Sequence, residues 1–264
     1  DNFPPEGNAP ATRTFEHARE WVNKGQKVTV ITCAPNFPEG KVFEGYKNKW
    51  LSKQKIEGIN VWRVKTYITA NEGFIKRTID FISFMLSSLF FGLFTRKVDF
   101  VIGTSPQFFT VISSWALAKL KRVPFVFELR DIWPASITAV GAMKGSWIIK
   151  VLEKLELFLY SQADLIISVT HSFKLELESR GVSADKIKVV LNGVDLSKYK
   201  AEISQKASEA IGKTVKIEGD ISLGILPSPR VSIGNIAVSD LASLEKVSLH
   251  VSLWPLDRKS TRLN

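Results

Sequence analysis

The stretch Phe100-Val101-Ile102-Gly103-Thr104-Ser105-Pro106 decides the fold of this chain. An apolar run ends in a turn, a helix is predicted over residues 107–121, and a second apolar run follows, Phe125-Val126-Phe127-Glu128-Leu129. Strands that are buried on both faces have this near-continuous apolar character, and a helix between two of them is typical of a parallel sheet with crossover connections. The stretch therefore predicts one β–α–β unit of an α/β fold.

The same alternation extends in both directions, from about residue 27 to residue 191. Four further apolar runs occur, at residues 28–32, 59–64, 165–169 and 188–191. Three further helices are predicted, over residues 10–24, 143–160 and 172–180. Gly25 and Gly181 stand at the positions where helices end. We expect a Rossmann-like, doubly wound parallel sheet, in which ligands bind outside the carboxyl ends of the strands.

Beyond residue 199 the pattern changes to a helix followed by period-two strands. The helix is predicted over residues 202–211, with Gly212 as its stop, and apolar residues then alternate with polar ones over 231–233 and 247–253. Alternation of this kind predicts a short antiparallel β segment. We expect domains at 1–200 and 201–256, whereas residues 257–264 look like vector read-through and are left out of the fold.

Composition and charge exclude several classes of protein. The chain has 36 Lys and Arg against 26 Asp and Glu, a formal net charge of +10. The basic residues are spread along the chain without a dense run, which disfavours nucleic acid and leaves anionic lipid or phosphorylated sugars as partners. A single cysteine, Cys33, excludes an intramolecular disulfide and a cysteine zinc cluster. We expect no metal site and a reducing compartment.

The segment 74–94 has almost no polar face. Its uninterrupted apolar part is shorter than the ~20 residues that a transmembrane helix needs. Basic residues stand at both ends, Lys76 and Arg77 before it and Arg96 and Lys97 after it. Two alternatives remain open, a helix packed fully into the core or a helix at a membrane interface with basic flanks.

Polar residues collect where the predicted strands end. These are the loop at 7–10, the turn at 104–107, the cluster at 128–134, the helix start at 170–172 and the loop at 192–195. Two carboxylates and a guanidinium after a buried strand, Glu128, Arg130 and Asp131, are costly unless they are paired or used. The alternatives are a substrate site or an ion pair between Arg130 and Asp131.

The other candidates are equally open to two interpretations. Gly7 ahead of a helix could offer backbone amides to a phosphate or could simply make a turn. His171 could act as an acid, a base or a ligand, or it could make a hydrogen bond at a helix start. The sequence lacks the nucleotide-binding, dinucleotide-binding, zinc-protease and serine-hydrolase motifs, so these classes lose support.

Taken in order, five motifs resemble glycosyltransferase family 4, above all the fucosamine-transferase-like and colanic-acid-type enzymes. The motifs are Pro4-Pro5-Glu6-Gly7-Asn8-Ala9-Pro10-Ala11-Thr12-Arg13, Gly25 to Thr32, Thr104-Ser105-Pro106, Arg130-Asp131-Ile132-Trp133-Pro134 and Asn192-Gly193-Val194-Asp195. The resemblance covers about residues 1–200. It implies half of a two-domain GT-B enzyme that retains anomeric configuration. The half present would hold the acceptor, often a polyprenyl-diphosphate-linked sugar, and the other half would hold the nucleotide-sugar donor.

The resemblance also assigns residues. Arg130 and Asp131 fall where many members have His-Asp near the reacting sugar, so they are the catalytic candidates, with Arg in place of the His. The substrate-binding candidates are Gly7, Asn8, Arg13, Ser105, Glu128, His171 and Asn192. The resemblance implies no cofactor beyond the nucleotide sugar, which is a substrate. It places the protein in bacterial surface polysaccharide synthesis (O-antigen or capsule), in the cytoplasm and peripheral on the inner face of the inner membrane.

Two departures from the family lead to further expectations. Family members begin with a hydrophobic strand ahead of the Pro-Pro-Glu-Gly segment, and without this central strand the neighbouring strands lack a ladder partner. The donor-binding residues are also absent, so we expect no activity from this chain alone. Residues 207–256 instead resemble the start of the AsmA family of envelope proteins. We therefore expect a chimeric reading frame, and the alternative function is a non-catalytic membrane- or lipid-associated envelope protein.

Overall fold

The computed structural model describes residues 2–69, 74–132, 147–191, 200–224, 230–238 and 242–250. The chain forms two compact units, Asp1–Leu191 and Asn192–Asn264. Each unit has its own sheets and its own apolar core. The elements of the first unit are α1 (Ala9–Asn23), β1 (Thr29–Cys33), β2 (Leu51–Ile56), β3 (Ile59–Val64), α2 (Phe74–Gly92), β4 (Val101–Thr104), α3 (Phe108–Lys121), β5 (Phe125–Leu129), α4 (Trp147–Gln162), β6 (Leu165–Ser168), α5 (His171–Ser179) and β7 (Ile187–Val189).

The stretch that opened the sequence forms the predicted β–α–β unit. β4 and β5 are parallel neighbours joined through α3, and they continue into a four-stranded parallel sheet of order β4-β5-β6-β7. Phe125, Phe127 and Leu129 occupy alternate positions of β5 and belong to one buried cluster. Residues of α3, α4 and α5 also contribute to this cluster. The α/β class and the six predicted strands are confirmed.

A second sheet of three strands, in the order β1-β3-β2, was predicted only in part. β1 and β3 are parallel, but β2 is an antiparallel partner of β3 that the sequence did not reveal. The turn between them holds Glu57 and Gly58 at positive φ, of 44° and 83°. A Cβ at Gly58 would lie 2.6 Å from Cγ1 of Val22, so glycine is needed both for the turn and for α1 to pack closely. β2 was missed because its middle, Ser52 to Lys55, is polar.

Helices cover both faces of this three-stranded sheet, as a doubly wound fold requires. Ile59 and Val61 face α1, where Ala18 is buried against them. Val64 and Cys33 face α2 through Phe84. Cys33 is the last residue of β1 and is buried.

The sheet is interrupted between β1 and β4. Among the described strands, β1 pairs only with β3, and β4 pairs only with β5. The free edges of β1 and β4 both line one cavity of about 1310 Å³, with Val30 and Ile31 from β1 and Val101 and Ile102 from β4. The interruption lies where the resemblance predicted a missing strand, so the expected single sheet is replaced by two.

Only one face of α2 packs into the core, so the core-helix interpretation is correct for that face alone. Its inner face is buried through Phe84, Ser88 and Gly92, and a Cβ at Gly92 would lie 2.7 Å from Cδ2 of Leu117 on α3. Its outer face is exposed. Within the described part of the chain, no helix is both long enough and apolar enough to cross a membrane.

The second unit begins with α6 (Lys200–Ile211), followed by β8 (Val215–Ile217), β9 (Ile221–Gly224), β10 (Arg230–Val238) and β11 (Ala242–His250). The strands are antiparallel, which confirms the predicted change of pattern. β8 and β9 lie one after the other along the same side of β10, and α6 packs Ile203 and Ala207 on the core formed by Val215 and Ile217. Residues 251–264, which include the predicted read-through, lie outside the described residues.

A buried polar network joins α4 to the end of α5. Glu156 is 1% exposed, and its carboxylate accepts a hydrogen bond from the Tyr160 hydroxyl at 2.6 Å and one from Nη2 of Arg180 at 2.7 Å. Burial raises the pKa of Tyr160 far above its usual value, and the neighbouring Glu156 carboxylate adds to the effect. The hydroxyl therefore stays a donor, and the carboxylate depends on Arg180 for its balancing charge.

We expect Arg180→Met to destabilise the first unit by about 2–3 kcal/mol, because it leaves the Glu156 carboxylate buried without its cation. Lys174→Met is the matched control, since Lys174 pairs with Glu178 at 3.7 Å on the exposed side of the same helix. It should cost less than about 0.5 kcal/mol. The measurement is the urea midpoint followed by tryptophan fluorescence, and equal shifts for the two variants would contradict the role of the network.

Candidate functional site

The parallel register of β4 and β5 builds the first part of the candidate site. Thr104 lies opposite Glu128 at the carboxyl ends of the two strands. The Thr104 hydroxyl donates a hydrogen bond to Oε2 of Glu128 at 2.7 Å. The carboxylate is thus fixed at the edge of the sheet where ligands of α/β proteins bind.

Three cationic or titratable groups converge on Oε1 of the same carboxylate. Arg130 places Nη1 at 3.3 Å, His17 places Nδ1 at 3.9 Å and Arg13 places Nε at 4.0 Å. Arg13 and His17 are one turn apart on α1, so one helix face presents both. The structure therefore brings Arg13, from the motif before α1, together with Glu128 and Arg130, which the sequence had placed in one cluster. The ion pair that it shows for Arg130 is with Glu128, whereas the sequence had suggested Asp131.

Ser105 fixes the backbone that carries the two catalytic candidates. Its buried Oγ accepts hydrogen bonds from the backbone N–H of Arg130, at 2.8 Å, and of Asp131, at 3.3 Å. The same hydroxyl lies 3.4 Å from the carbonyl oxygen of Asp131, to which it can donate. Among the candidates, Ser105 thus positions its neighbours.

Burial dominates the electrostatics of the two arginines. Burial lowers the pKa of Arg13, and the nearby Glu128 opposes that change. Burial also lowers the pKa of Arg130, to which the positive charge of Arg13 contributes, while Glu128 opposes it. A guanidinium starts from so high a pKa that both remain charged near neutrality. Arg130 can therefore act by charge and position, whereas a carboxylate such as Asp131 can accept a proton.

Arg13 has hydrogen-bonding capacity left over. Its Nε is buried and has no hydrogen-bond partner among the described residues. The side chain lines the cavity between β1 and β4, together with His17, Thr104, Ser105, Glu128 and Asp131. At about 1310 Å³ the cavity exceeds the usual range of small-molecule pockets. Its polar end is this cluster, and its walls are the apolar strand edges.

Two residues that the sequence did not single out hold the loop before α1. The buried carboxylate of Glu6 accepts backbone hydrogen bonds from Phe3, at 3.2 Å, from Asn36, at 2.8 Å, and from Phe37, at 2.9 Å. The buried guanidinium of Arg63 donates to the carbonyl oxygens of Cys33 and Pro4. The sequence did contain a signal for Arg63, which is an arginine inside the apolar run 59–64. A buried charge needs specific partners, so its position indicated a structural or functional role.

The remaining candidates have less defined surroundings. Asn8 caps α1 by accepting a hydrogen bond from the backbone N–H of Ala11 at 2.9 Å, and its Nδ2 is buried without a partner among the described residues. Gly7 is exposed, and a Cβ there would meet nothing within 4 Å. The packing of the chain itself therefore does not demand glycine at this position.

His171 and Asn192 are not part of the cluster around Glu128. His171 is the exposed first residue of α5, where the side chain of Thr170 provides the helix cap, and it is not among the residues that line the cavity. Asn192, Trp133 and Pro134 lie outside the described residues. The residues described hold no group of three or more His, Cys, Asp or Glu that could bind a metal ion.

The fold and the site together define an α/β protein with a cavity between β1 and β4 that reaches the carboxyl ends of β4 and β5. The glycosyltransferase family 4 profile matches residues 11–198, which is more than half of the chain. The chain belongs to glycosyltransferase family 4. The AsmA family profile matches residues 187–264.

The chain is also similar to the colanic acid biosynthesis glycosyl transferase WcaI of Escherichia coli (strain K12). The two are 25% identical over 203 residues, which make up 75% of this chain and 50% of WcaI. The chain thus spans about half the length of this curated relative. The resemblance that the motifs suggested is confirmed at the level of the family.

We expect Ser105→Ala to cost about 1–3 kcal/mol of stability, because two backbone donors lose the hydroxyl that accepts from them. Ser114→Ala is the matched control: the Ser114 hydroxyl donates to the carbonyl of Thr110 in its own helix, so its removal leaves no backbone donor unpaired. The stabilities of the two variants are compared through their urea midpoints, which are measured by tryptophan fluorescence. A Ser105→Ala midpoint equal to that of Ser114→Ala would show that Ser105 does not hold the 130–131 backbone.

Proposed function

We propose that residues 1–191 are the acceptor-binding half of a retaining glycosyltransferase. The enzyme transfers a sugar from a nucleotide-sugar donor to a lipid-linked or polysaccharide acceptor in bacterial surface polysaccharide synthesis. The observation that carries the proposal is the convergence of Arg13 and Arg130 on Glu128, with Arg13 and Glu128 themselves lining the polar end of the cavity. Membership of glycosyltransferase family 4 supports the reaction class.

The two arginines suit the acceptor that we propose, a polyprenyl diphosphate carrying a sugar. Guanidinium groups bind phosphate through several hydrogen bonds at once, and Arg13 has a buried Nε without a partner among the described residues. Glu128 holds both guanidiniums in place.

Asp131 is the group that we assign to the chemical step. The acceptor hydroxyl oxygen forms a bond to the anomeric carbon of the donor sugar on the face from which the diphosphate oxygen departs, so that the anomeric configuration is retained. The nucleoside diphosphate leaves, and the hydroxyl proton passes to the carboxylate of Asp131. Arg130 assists through its charge, and Ser105 keeps both residues at the edge of the cavity.

The donor is a second substrate, and we propose that residues other than 1–264 bind it. The family resemblance puts the donor in a second domain whose glycines and basic residues are not found after residue 200. Residues 1–264 alone should therefore give no turnover. We propose that the protein works in the cytoplasm, peripheral on the inner face of the inner membrane, where a lipid-linked acceptor is present.

The full chain should bind a short-chain polyprenyl diphosphate that carries one sugar. Arg13→Gln and Arg130→Gln should each weaken this binding about ten-fold, since each removes one charged contact to phosphate. Arg19→Gln is the control, because Arg19 lies on the same helix, contacts Glu57 and does not line the cavity. Titration calorimetry measures the three affinities.

Two results would contradict parts of this proposal. Acceptor binding that is insensitive to both Arg13→Gln and Arg130→Gln would contradict the acceptor site. Release of nucleoside diphosphate from a uridine or guanosine diphosphate sugar, lost in Asp131→Asn, would contradict the expected inactivity and leave the catalytic assignment in place.

The alternative function is a non-catalytic membrane- or lipid-associated envelope protein. The match of residues 187–264 to the AsmA family favours it, as does the antiparallel sheet of the second unit. Lipid-linked acceptor binding that survives both arginine substitutions would support this alternative.

We also propose that the chain joins two unrelated genes. The two family matches overlap only at residues 187–198, the end of one and the start of the other. Genomic DNA sequenced across the codons for residues 187–205 should show a break between two native reading frames. A single uninterrupted native frame across this region would refute the chimera.

A further inference from the structure

The outer face of α2 is an exposed apolar stripe. Spacings of three, four, four and three residues put most of its members on one side of the helix. The outer stripe consists of Ile79, Ile82, Leu86, Phe90, Leu93 and Phe94, whose side chains are between 36 and 61% exposed. A contiguous apolar surface of this kind marks a place where a soluble protein meets a partner or a membrane.

The apolar surface widens at the carboxyl end of α2. The rings of Phe90 and Phe94 pack edge to face, with centroids 5.4 Å apart. Lys121 donates from Nζ to the carbonyl oxygens of Leu93, at 3.0 Å, and Thr95, at 2.7 Å, which holds the end of α3 against the end of α2. Leu120, in that last turn of α3, is 63% exposed.

Positive charge surrounds the outer stripe at both ends. Lys76 and Arg77 precede it and Arg96 and Lys97 follow it, all exposed. Lys119 and Arg122, at the end of α3, are exposed as well. The acidic residues beside these segments are Asp80, which is half-buried, and Asp99, which is exposed. The surroundings of the stripe are therefore strongly basic.

We infer that the outer stripe and its basic flanks form a docking surface for an anionic phospholipid membrane. The helix lies parallel to the membrane plane, with its apolar side chains among the upper acyl chains and its cations among the headgroup phosphates. The buried face of Phe84 and Ser88 keeps α2 attached to the rest of the unit. The outer stripe does not line the cavity, although Arg77, Arg96 and Lys97 of its flanks do.

A second copy of the chain fits the surface less well than a membrane does. Both ends of α2 are basic, so a symmetric pair brings cations together whether the two helices run parallel or antiparallel. Phosphate headgroups instead supply the negative charge that the flanks lack. Charge complementarity therefore selects the anionic lipid surface.

Flotation of the full chain with vesicles tests the inference. The chain should float with vesicles of phosphatidylcholine containing about one quarter phosphatidylglycerol. It should float far less with pure phosphatidylcholine, and high salt should reduce the floated fraction, because the cationic contribution is screened. A chain that stays at the bottom with the anionic vesicles overturns the inference.

Two double variants separate the apolar and the charged contributions. Leu86→Ser with Phe90→Ser should lower partitioning at least ten-fold, since two large side chains no longer enter the lipid. Its control is Val151→Ser with Leu175→Ser, two apolar positions of similar exposure on α4 and α5, which should leave partitioning unchanged. Arg96→Gln with Lys97→Gln should lower it roughly twenty-five-fold, at about five-fold per cation. Lys47→Gln with Lys49→Gln, two exposed lysines between β1 and β2, is its control.

The remaining outcomes are also decisive. Flotation that survives Leu86→Ser with Phe90→Ser places the lipid contact elsewhere and overturns the inference. If the control pairs lose as much flotation as the test pairs, the inference is also overturned. A wild-type dimer that becomes a monomer in the stripe variant, with unchanged flotation, assigns the face to self-association and overturns it. Urea midpoints equal to wild type show that a loss of flotation is not a loss of fold, as expected for exposed positions. The flotation test uses no acceptor, so its outcome does not depend on whether the chain binds the proposed acceptor.

Discussion

The carboxylate of Glu128 is the point on which the candidate site depends. Thr104 on the neighbouring strand donates to one of its oxygens, and Arg13 on α1 and Arg130 after β5 face the other. It therefore connects the four-stranded sheet with a helix that packs on the three-stranded sheet, across the cavity between them. The carboxylate lies between two guanidiniums and offsets their mutual repulsion, so it allows them to lie close together.

The strands that the sequence predicted share one property, which is a run of apolar residues long enough to be buried on both faces. Residues 100–103 and 125–129 have it, and they form β4 and β5, which are parallel neighbours in the four-stranded sheet. β2 lacks it, because an edge strand with a polar middle resembles a loop, and only the Glu57-Gly58 turn indicates a hairpin. The interruption of the sheet could be expected only from the family resemblance, since strand order depends on contacts far apart in the sequence.

In the candidate site, too, some contacts could be predicted from the sequence and others could not. Glu128, Arg130 and Ser105 could be expected near one another because the carboxyl ends of parallel strands meet at one edge. The contacts of Glu6 with Asn36 and of Arg63 with Cys33 join residues 30 positions apart, and no local pattern encodes such partners. For α2 the composition suggested either a helix packed into the core or a helix at a membrane interface. Burial divides the helix between the two, because Phe84 and Leu86 point to opposite sides.

The free edges of β1 and β4 have a consequence for the dynamics of the interior. Backbone amides along a parallel strand alternate between its two neighbours, so every second amide of β1 and of β4 faces the cavity and not another strand. Water entering the cavity is then the natural partner of these groups, although they lie near the middle of the unit. β5, which has a neighbour on each side, has no such groups. Protection of these amides from solvent therefore depends on what occupies the cavity, and it need not follow their distance from the surface.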